Sequence, residues 1–114
     1  MNKSVKRGDM YYVEFTGVGS EQNGYRPALV VSNNMGNKYS KTVIVAIITG
    51  QTESKPKIPT HCLVRVPQRL GRESIVLLEQ IRTIDKLRLR EYLGTLDNET
   101  MKKIDTALAI SVGL

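Results

Sequence analysis

The stretch TVIVAIIT, at Thr42–Thr49, decides the fold of this chain. Every residue between its two terminal threonines is apolar, and most of them are β-branched. Such a run is typical of a strand that is buried on both faces, whereas a strand at the surface alternates between apolar and polar residues. The sequence therefore predicts that Thr42–Thr49 is a central strand of a sheet.

Shorter apolar runs lie on both sides of this strand, separated by stretches rich in turn-forming residues, and this spacing is typical of a mainly β domain. Further strands are predicted at Met10–Phe15, Ala28–Ser32, Thr60–Val66 and Ser74–Ile84, and a short helical turn followed by a last strand is predicted within Leu87–Leu96. The stretches between them are a Gly-rich loop at Thr16–Tyr25, a turn at Asn33–Asn37 and a polar loop at Gly50–Pro59.

The last part of the chain has the pattern of a helix. Asp97 can accept hydrogen bonds from the backbone of the following turn, and Glu99 suits the positive end of a helix. Gly113 is a plausible stop. Apolar residues recur at spacings of three and four, which predicts one face packed in the core or in a dimer interface. These residues are Met101, Ile104, Leu108 and Val112. The predicted fold is mainly β, a small barrel or strongly bent sheet of five to seven strands with a C-terminal helix, forming a single domain over residues 1–114.

Composition excludes several classes of protein. Hydrophobic residues make up 40% and charged residues 25%, as in ordinary globular proteins. The single cysteine, Cys62, cannot form an internal disulfide, and the sequence has no cluster of Cys and His for a zinc site. No apolar run approaches ~18 residues, and the N-terminus is too polar for a secretory signal. We therefore expect a cytoplasmic protein with no membrane span, metal or cofactor.

The charge balance points to a polyanionic partner. Lys and Arg number 17 against 11 Asp and Glu, giving a net charge of +6. Residues 1–60 and 61–90 are both basic, whereas residues 91–114 are mildly acidic. A basic body is typical of proteins that bind nucleic acid or an acidic peptide, although a need for solubility alone would explain it equally well.

Four segments then occur in a set order. They are RGDMYY (Arg7–Tyr12), GSEQNGYRP (Gly19–Pro27), TVIVAIIT (Thr42–Thr49) and LEQIRTID (Leu78–Asp85), and IPTH (Ile58–His61) fits the same order. Any one of them has little meaning alone, but together they are specific. In these segments the chain resembles the MazF/PemK family of toxin endoribonucleases, and the resemblance extends from Arg7 to Leu114.

The resemblance implies an SH3-like barrel with a C-terminal helix, a homodimer, and sequence-specific, metal-independent cleavage of single-stranded RNA, including mRNA. The 2′-OH beside the cut would attack the phosphate, leaving a 2′,3′-cyclic phosphate and a 5′-OH. The best-matching branch suggests unpaired cleavage sites with an ACA core. The implied partner is a cognate antitoxin of a type II toxin–antitoxin system, whose acidic MazE-like C-terminal segment occupies the RNA groove.

By the same resemblance, Arg26 and Thr49 are the catalytic residues. The planar fork of an arginine matches two phosphate oxygens, and because arginine holds its proton tightly we expect electrostatic stabilisation first and proton transfer second. Thr49 closes the central strand, where its hydroxyl can bond a phosphate oxygen. Without the resemblance, Arg26 would be read as bonding loop carbonyls and Thr49 as a residue chosen for its β-propensity.

A second set of residues is predicted to bind RNA. The polar side chains of the Gly-rich loop can read the edges of unstacked bases or can simply be solvated. The lone histidine is expected to bind or brace rather than transfer a proton, and the two polar residues of the fifth strand share a face, from which they reach RNA or brace the barrel. The predicted RNA-binding residues are Ser20, Glu21, Gln22, His61, Gln80 and Arg82.

The general base is left open by the sequence. Another branch of the family has a His before the Glu-Gln pair and an Arg-x-Asp further on, where this chain has Ser20, Leu77 and Glu79. Only a carboxylate remains of that machinery. Glu79 is therefore a candidate base, but strand alternation would put it on the face of Leu77 and Ile81, so a structural role is as well supported.

Two other functions compete. One is a non-catalytic barrel that binds RNA or an acidic peptide, which would need neither Arg26 nor Thr49. The other is a gyrase-poisoning toxin of the same fold, whose C-terminal helix ends in Trp-Gly-Ile. This chain ends Val112-Gly113-Leu114 and contains no Trp, which argues against the second.

Overall fold

A computed structural model describes residues 4–50, 58–66 and 73–114. Within them, one six-stranded antiparallel sheet has the strand order β4-β5-β3-β2-β1-β6. The strands are β1 (Asp9–Phe15), β2 (Gly24–Val30), β3 (Thr42–Thr49), β4 (His61–Arg65), β5 (Glu73–Asp85) and β6 (Tyr92–Thr95). The helices are α1 (Asn34–Tyr39) and α2 (Asn98–Ser111), with a 3₁₀ turn at Lys86–Arg88. The predicted central strand is confirmed, since β3 lies between β2 and β5.

Each face of the sheet carries a buried core, which is why β3 is apolar between its terminal threonines, although Ile44 near its start is 38% exposed. On one side, which we call the helix face, α2 contributes Met101, Ile104 and Ala107 to a core that includes Ala46 and Ile48 of β3. The other side, the opposite face, carries a second core that the curled sheet closes over. Its members on the three central strands are Ala28, Val30, Val43, Val45, Ile47 and Ile84. The sheet is thus a curled half-barrel with a C-terminal helix, as the sequence predicted.

β5 contains an irregularity that the sequence did not show. Ile47 of β3 pairs with Leu77, but the next residue back, Ala46, pairs with Ile81. Residues Leu78–Gln80 therefore have no partner on β3, and such inserted residues reset the alternation of a strand. Leu77 consequently lies on the opposite face while Ile81 packs against the core of the helix face. The prediction that Glu79 shares one face with both of them is wrong.

Two boundaries also differ from the sequence prediction. The turn predicted at Asn33–Asn37 is largely helix α1, which begins where the Asn33 side chain accepts a hydrogen bond of 2.8 Å from the Gly36 amide. β2 begins at Gly24 rather than Ala28, because pairing with β1 continues to the Phe15–Gly24 pair. Backbone pairing requires no apolar pattern, so the polar first half of β2 carried no signal.

The C-terminal helix begins as predicted. The Asp97 side chain accepts from the Thr100 amide at 2.7 Å, and Met101 and Ile104 are buried. Leu108 is partly buried against the same core, but Val112 is 52% exposed, so the predicted stripe ends before its last member. In the described part of the chain, no helix is long and apolar enough to cross a membrane. Most of the predicted loop Gly50–Pro59, residues 51–57, lies outside the described residues.

Candidate active site

Arg26 and Thr49 lie at the same end of the sheet, on the neighbouring strands β2 and β3. The β2–β3 ladder ends at the pair Ala28–Ile47, and Arg26 and Thr49 each lie two residues beyond that pair. Residues two apart on a strand share a face, so both side chains leave the sheet on the opposite face, beyond the buried pair Ala28 and Ile47. Adjacent strands are about 4.8 Å apart. The two predicted catalytic residues are therefore neighbours at one end of the sheet.

One nitrogen of the Arg26 side chain, Nε, is bound within the protein, and the two terminal nitrogens are available. Its Nε donates a hydrogen bond of 2.6 Å to the carbonyl of Asn23, at the end of the β1–β2 loop, and the side chain is half-buried. Among the described residues, nothing accepts a hydrogen bond from its two terminal nitrogens. A guanidinium has five N–H donors, so four remain for a bound anion. This arrangement combines both interpretations of Arg26, since one donor binds a loop carbonyl and the fork stays available for a phosphate.

His61 lies on the same face but three strands away. Ile47 pairs with Leu77, and Leu77 pairs with His61, so a row of paired residues crosses from β2 to β4. At about 4.8 Å per strand, His61 is roughly 14 Å along the sheet from β2. The structure therefore separates His61 from Arg26 and Thr49, while all three leave their strands on the same side of the sheet.

His61 has a carboxylate partner that sequence reasoning missed. Its Nε2 is 3.0 Å from Oε2 of Glu79, and the Thr60 hydroxyl donates to the other carboxylate oxygen at 2.7 Å. Burial of the Glu79 carboxylate opposes its ionisation, but the hydrogen bonds from Thr60 and His61, a backbone hydrogen bond and the His61 charge together lower its pKa. Glu79 is thus an ionised anchor for the histidine ring and pins β4 to the irregular part of β5.

Arg82 serves the β1–β2 loop. Its Nη1 donates to the carbonyl of Thr16 and its Nη2 donates to that of Gln22 at 3.0 Å, so it bonds both ends of the loop. The guanidinium also lies 5.5 Å from the centre of the Phe15 ring and 3.9 Å from a carboxylate oxygen of Glu21. Of the two roles considered for Arg82, contact with RNA or internal bracing, the structure shows internal bracing. Because the loop continues to Asn23, whose carbonyl binds Arg26, Arg82 lies one step from the catalytic candidate.

The loop itself is tightly folded. Glu21 accepts a hydrogen bond of 2.8 Å from the Val18 amide, and Gln22 is half-buried, whereas Ser20 is exposed. A Cβ on Gly17 would lie 2.8 Å from the Gln22 carbonyl oxygen, so only glycine fits there without a shift. Of the three predicted base-reading residues, Ser20 is the most available in this conformation.

The other residues singled out from the sequence add little to the site. Gln80 is half-buried in the irregular segment of β5, next to Glu79. Cys62 is buried, and burial raises the pKa of its thiol, which fits an inert core residue. Across the described ranges, no group of three or more His, Cys, Asp or Glu side chains is arranged to hold a metal ion.

Comparison with known proteins identifies the family. The chain matches the family model of PemK-like, MazF-like toxins of type II toxin–antitoxin systems over residues 6–112. It is 52% identical over 113 residues to Endoribonuclease EndoA of Bacillus subtilis (strain 168), which covers 96% of this chain and 96% of that protein. A mycobacterial endoribonuclease solved in complex with its cognate antitoxin superposes with a TM-score of 0.75 at 33% identity, covering 96% of each chain.

Crystallographic MazF from Deinococcus radiodurans has the same architecture, with a TM-score of 0.78 at 25% identity over 98% of this chain and 99% of that one. The family model thus spans the whole sheet and all of α2. It also includes the strand ends that carry Arg26 and Thr49 and the Thr60–His61–Glu79 cluster. This chain belongs to the MazF/PemK family of toxins of type II toxin–antitoxin systems.

Proposed function

We propose that this protein is a sequence-specific endoribonuclease that cuts single-stranded RNA by attack of the 2′-OH on the adjacent phosphate. The observation that carries the proposal is the position of Arg26, with its terminal nitrogens available, and of Thr49 at the same end of the sheet on neighbouring strands. An arginine fork beside a hydroxyl suits a phosphate whose oxygens gain charge during the reaction. The products would be a 2′,3′-cyclic phosphate and a 5′-OH end.

In this mechanism Arg26 stabilises charge and Thr49 donates a hydrogen bond. The 2′-hydroxyl gives up its proton as its oxygen bonds to phosphorus, and the bond from phosphorus to the 5′-oxygen breaks while that oxygen takes up a proton. Negative charge develops on the two non-bridging oxygens during this step. The Arg26 fork faces those oxygens, and the Thr49 hydroxyl holds one of them in place. The hydrogen bond to Asn23 sets the direction of the fork before RNA arrives, and such preorganisation is what makes electrostatic stabilisation effective.

Residues at the exposed rim of the opposite face would hold the RNA strand, because the centre of that face is a buried core. Ser20 at the tip of the β1–β2 loop is exposed and can read a base edge. His61, fixed by Glu79, lies far enough from Arg26 to contact a neighbouring nucleotide rather than the reacting phosphate. Both would act in binding and selection, together with Glu21 and Gln22, while Arg82 would hold the β1–β2 loop in place.

The partners follow from the same surface. A mycobacterial relative is solved with its cognate antitoxin, and a chain of net charge +6 would attract an acidic segment as it attracts RNA. We propose that a MazE-like acidic segment neutralises this toxin by occupying the RNA surface. We also propose that the toxin acts as a homodimer in the cytoplasm, because one sheet of this size offers a short track for RNA.

The test is to incubate the purified protein with a long RNA in the presence of EDTA and to map the cuts. Cuts at a recurring sequence, with cyclic phosphate and 5′-OH ends, support the proposal. RNA that is bound and left intact would instead indicate a binding module. Inhibition of gyrase supercoiling without RNA cleavage would indicate the gyrase-poisoning alternative.

A further inference from the structure

Tyr25 presents an aromatic ring that the mechanism does not use. It is 57% exposed at the start of β2, next to Arg26. One side of its ring lies against Tyr12, with ring centres 4.9 Å apart and planes 12° from parallel. Tyr12 in turn is partly buried against the core of the helix face. One side of the Tyr25 ring is therefore held by the Tyr12 ring, and more than half of the Tyr25 side chain remains exposed to solvent.

The surroundings of this ring favour a flat, uncharged group. Tyr25 leaves β2 on the helix face and Arg26 on the opposite face, but both residues line one cavity of about 300 Å³ at the end of the sheet, together with Gly24, Pro27 and Ile48. Glu14 is paired with Tyr25 across β1 and β2, so a carboxylate lies on the same face. That carboxylate repels a phosphate placed on the ring, whereas Arg26 attracts one beside it. An uncharged ring is therefore favoured against Tyr25, and an anion is favoured beside Arg26.

Two other exposed tyrosines lack this setting. Tyr92 bonds Thr95 through its hydroxyl at 2.6 Å and is tilted by 60° against Tyr11. Tyr39 lies at the end of α1, beneath the amino group of Lys38. Tyr25 is the exposed tyrosine whose ring is stacked on a second ring and whose neighbour in sequence is the phosphate-binding candidate.

We propose that Tyr25 is a stacking platform for a nucleobase of the RNA substrate, one nucleotide away from the phosphate held by Arg26. This inference rests on the proposed endoribonuclease function and adds to it a base subsite. Stacking accepts any base, so the platform would add affinity and hold the strand in place while the loop residues read sequence. The chain contains no Trp and its one Phe, Phe15, is buried, which leaves the tyrosines and His61 as the aromatic side chains able to stack a base.

The experiment measures binding of an oligoribonucleotide that carries a single 2′-deoxy substitution at the cut and 2-aminopurine beside it. With wild-type protein, stacking should quench the 2-aminopurine fluorescence. Tyr25→Phe should keep both the quenching and the affinity, whereas Tyr25→Ala should lose the quenching and raise Kd about tenfold, as expected for loss of one stacked base. Tyr39→Ala is the matched control and should bind like wild type.

A crosslinking measurement on the wild-type protein avoids any dependence on folding of the variants. The same oligonucleotide with 5-iodouridine beside the cut should crosslink to Tyr25 on irradiation. Unchanged affinity and quenching in Tyr25→Ala, or a crosslink confined to other residues, would overturn the platform. So would a Tyr25→Ala variant that loses affinity for an acidic antitoxin peptide but keeps its affinity for RNA. If wild-type protein cuts no RNA, the endoribonuclease proposal itself fails, which is a separate result.

Discussion

At the scale of single residues, the proposed mechanism gives Arg26 two tasks. Its Nε binds the Asn23 carbonyl at 2.6 Å, which fixes the direction of the side chain, and its terminal nitrogens remain for substrate. Lysine could do one of these tasks but not both, because an ammonium is a point charge without a planar fork. The position therefore requires arginine for geometry as well as for charge.

The prediction at this scale concerns Arg26 itself. Arg26→Ala should lower the cleavage rate on the order of 10²–10³-fold, comparable to removing one oxyanion donor elsewhere, and Arg26→Lys should not restore it. Thr49→Ala should also slow cleavage strongly, while Thr49→Ser, which keeps the hydroxyl, should retain most of the rate. Single-turnover rates on a short RNA, with circular dichroism as a check on folding, measure this. Full activity of Arg26→Ala would move the site elsewhere.

Arg26 and Thr49 could be chosen from the sequence because they lie in the segments that carry the family resemblance. Their adjacency could not, since it depends on the β2–β3 register. The partnership of His61 with Glu79 was missed for the same reason, because the two residues are 18 apart in the chain and meet only through the pairing of β4 with β5. Candidate residues can thus be identified from their type in the sequence, whereas their contacts can be known only from the strand pairing.

At the scale of elements, the β1–β2 loop is the part most dependent on distant residues. Arg82 donates to two of its carbonyls, at Thr16 and Gln22, and these lie 66 and 60 positions away in sequence. The loop ends at Asn23, which orients Arg26. Arg82 therefore acts as a positioning residue, linking β5 to the catalytic candidate through the loop.

The prediction for Arg82 separates positioning from contact with RNA. Arg82→Ala should raise the amide exchange rates of residues 16–23 and lower kcat/KM by about 10-fold to 10²-fold, the cost expected for a small misplacement of a reacting group. Arg82→Lys should not rescue it, because one ammonium does not reproduce the fork. The matched control is Arg88→Ala, which removes an arginine bond to the Glu14 carbonyl outside the loop. Unchanged exchange with a smaller salt dependence of RNA binding would show instead that Arg82 contacts phosphate.

A second element-scale prediction concerns the link between β4 and β5. The pKa of Glu79 is lowered in the folded protein, because hydrogen bonds from Thr60 and His61 outweigh the cost of burial. A carboxyl whose folded pKa is depressed stabilises the fold above its unfolded pKa, and that contribution is lost as pH falls through the folded value. Glu79→Gln should therefore be less stable than wild type near pH 7, by about 1 kcal/mol or less, and the difference should vanish in acid.

Urea unfolding at a series of pH values between neutrality and about pH 3 measures this difference. The control is Glu91→Gln, at an exposed position outside the strands, which should shift the stability curve little. A constant difference between Glu79→Gln and wild type at every pH would show that ionisation of Glu79 does not stabilise the fold.

Elements differ in how well the sequence predicted them. β3 and α2 have strong apolar patterns and were predicted closely. α1 was not, since its residues Asn34–Tyr39 lack an apolar period and depend on the Asn33 cap and on the buried Asn37 side chain, which bonds the Ser32 carbonyl at 2.9 Å. The irregular segment Leu78–Gln80 left no trace in the pattern either, because pairing with β3 and β4 imposes it.

At the scale of the whole molecule, the positive net charge and the opposite face of the sheet would suit two ligands, RNA and an acidic antitoxin segment. With 17 Lys and Arg against 11 Asp and Glu, the chain has a net charge of +6, which would attract RNA and an acidic antitoxin segment alike. If both lie on the surface between Arg26 and His61, they exclude each other, and inhibition needs no change of shape.

The prediction at this scale is competition. RNA affinity should fall steeply with salt, with a log–log slope of about −0.7 for each phosphate neutralised. An acidic antitoxin peptide should raise the apparent Kd for an uncleavable RNA in proportion to its concentration. Titration of the peptide against a fluorescent RNA, repeated at several salt concentrations, measures both. Simultaneous binding of peptide and RNA without mutual weakening would show that the antitoxin acts from another surface.

The most direct measurement compares two versions of one short RNA that contains a mapped cleavage site, in the presence of EDTA. One version is all ribose, and the other has a single 2′-deoxy nucleotide immediately 5′ to the cut. Attack by the 2′-OH predicts that the first is cut to a 2′,3′-cyclic phosphate and a 5′-OH, and that the second binds with similar affinity and stays intact. Cleavage of the deoxy version at the normal rate would contradict the mechanism and remove the chemical role assigned to Arg26 and Thr49.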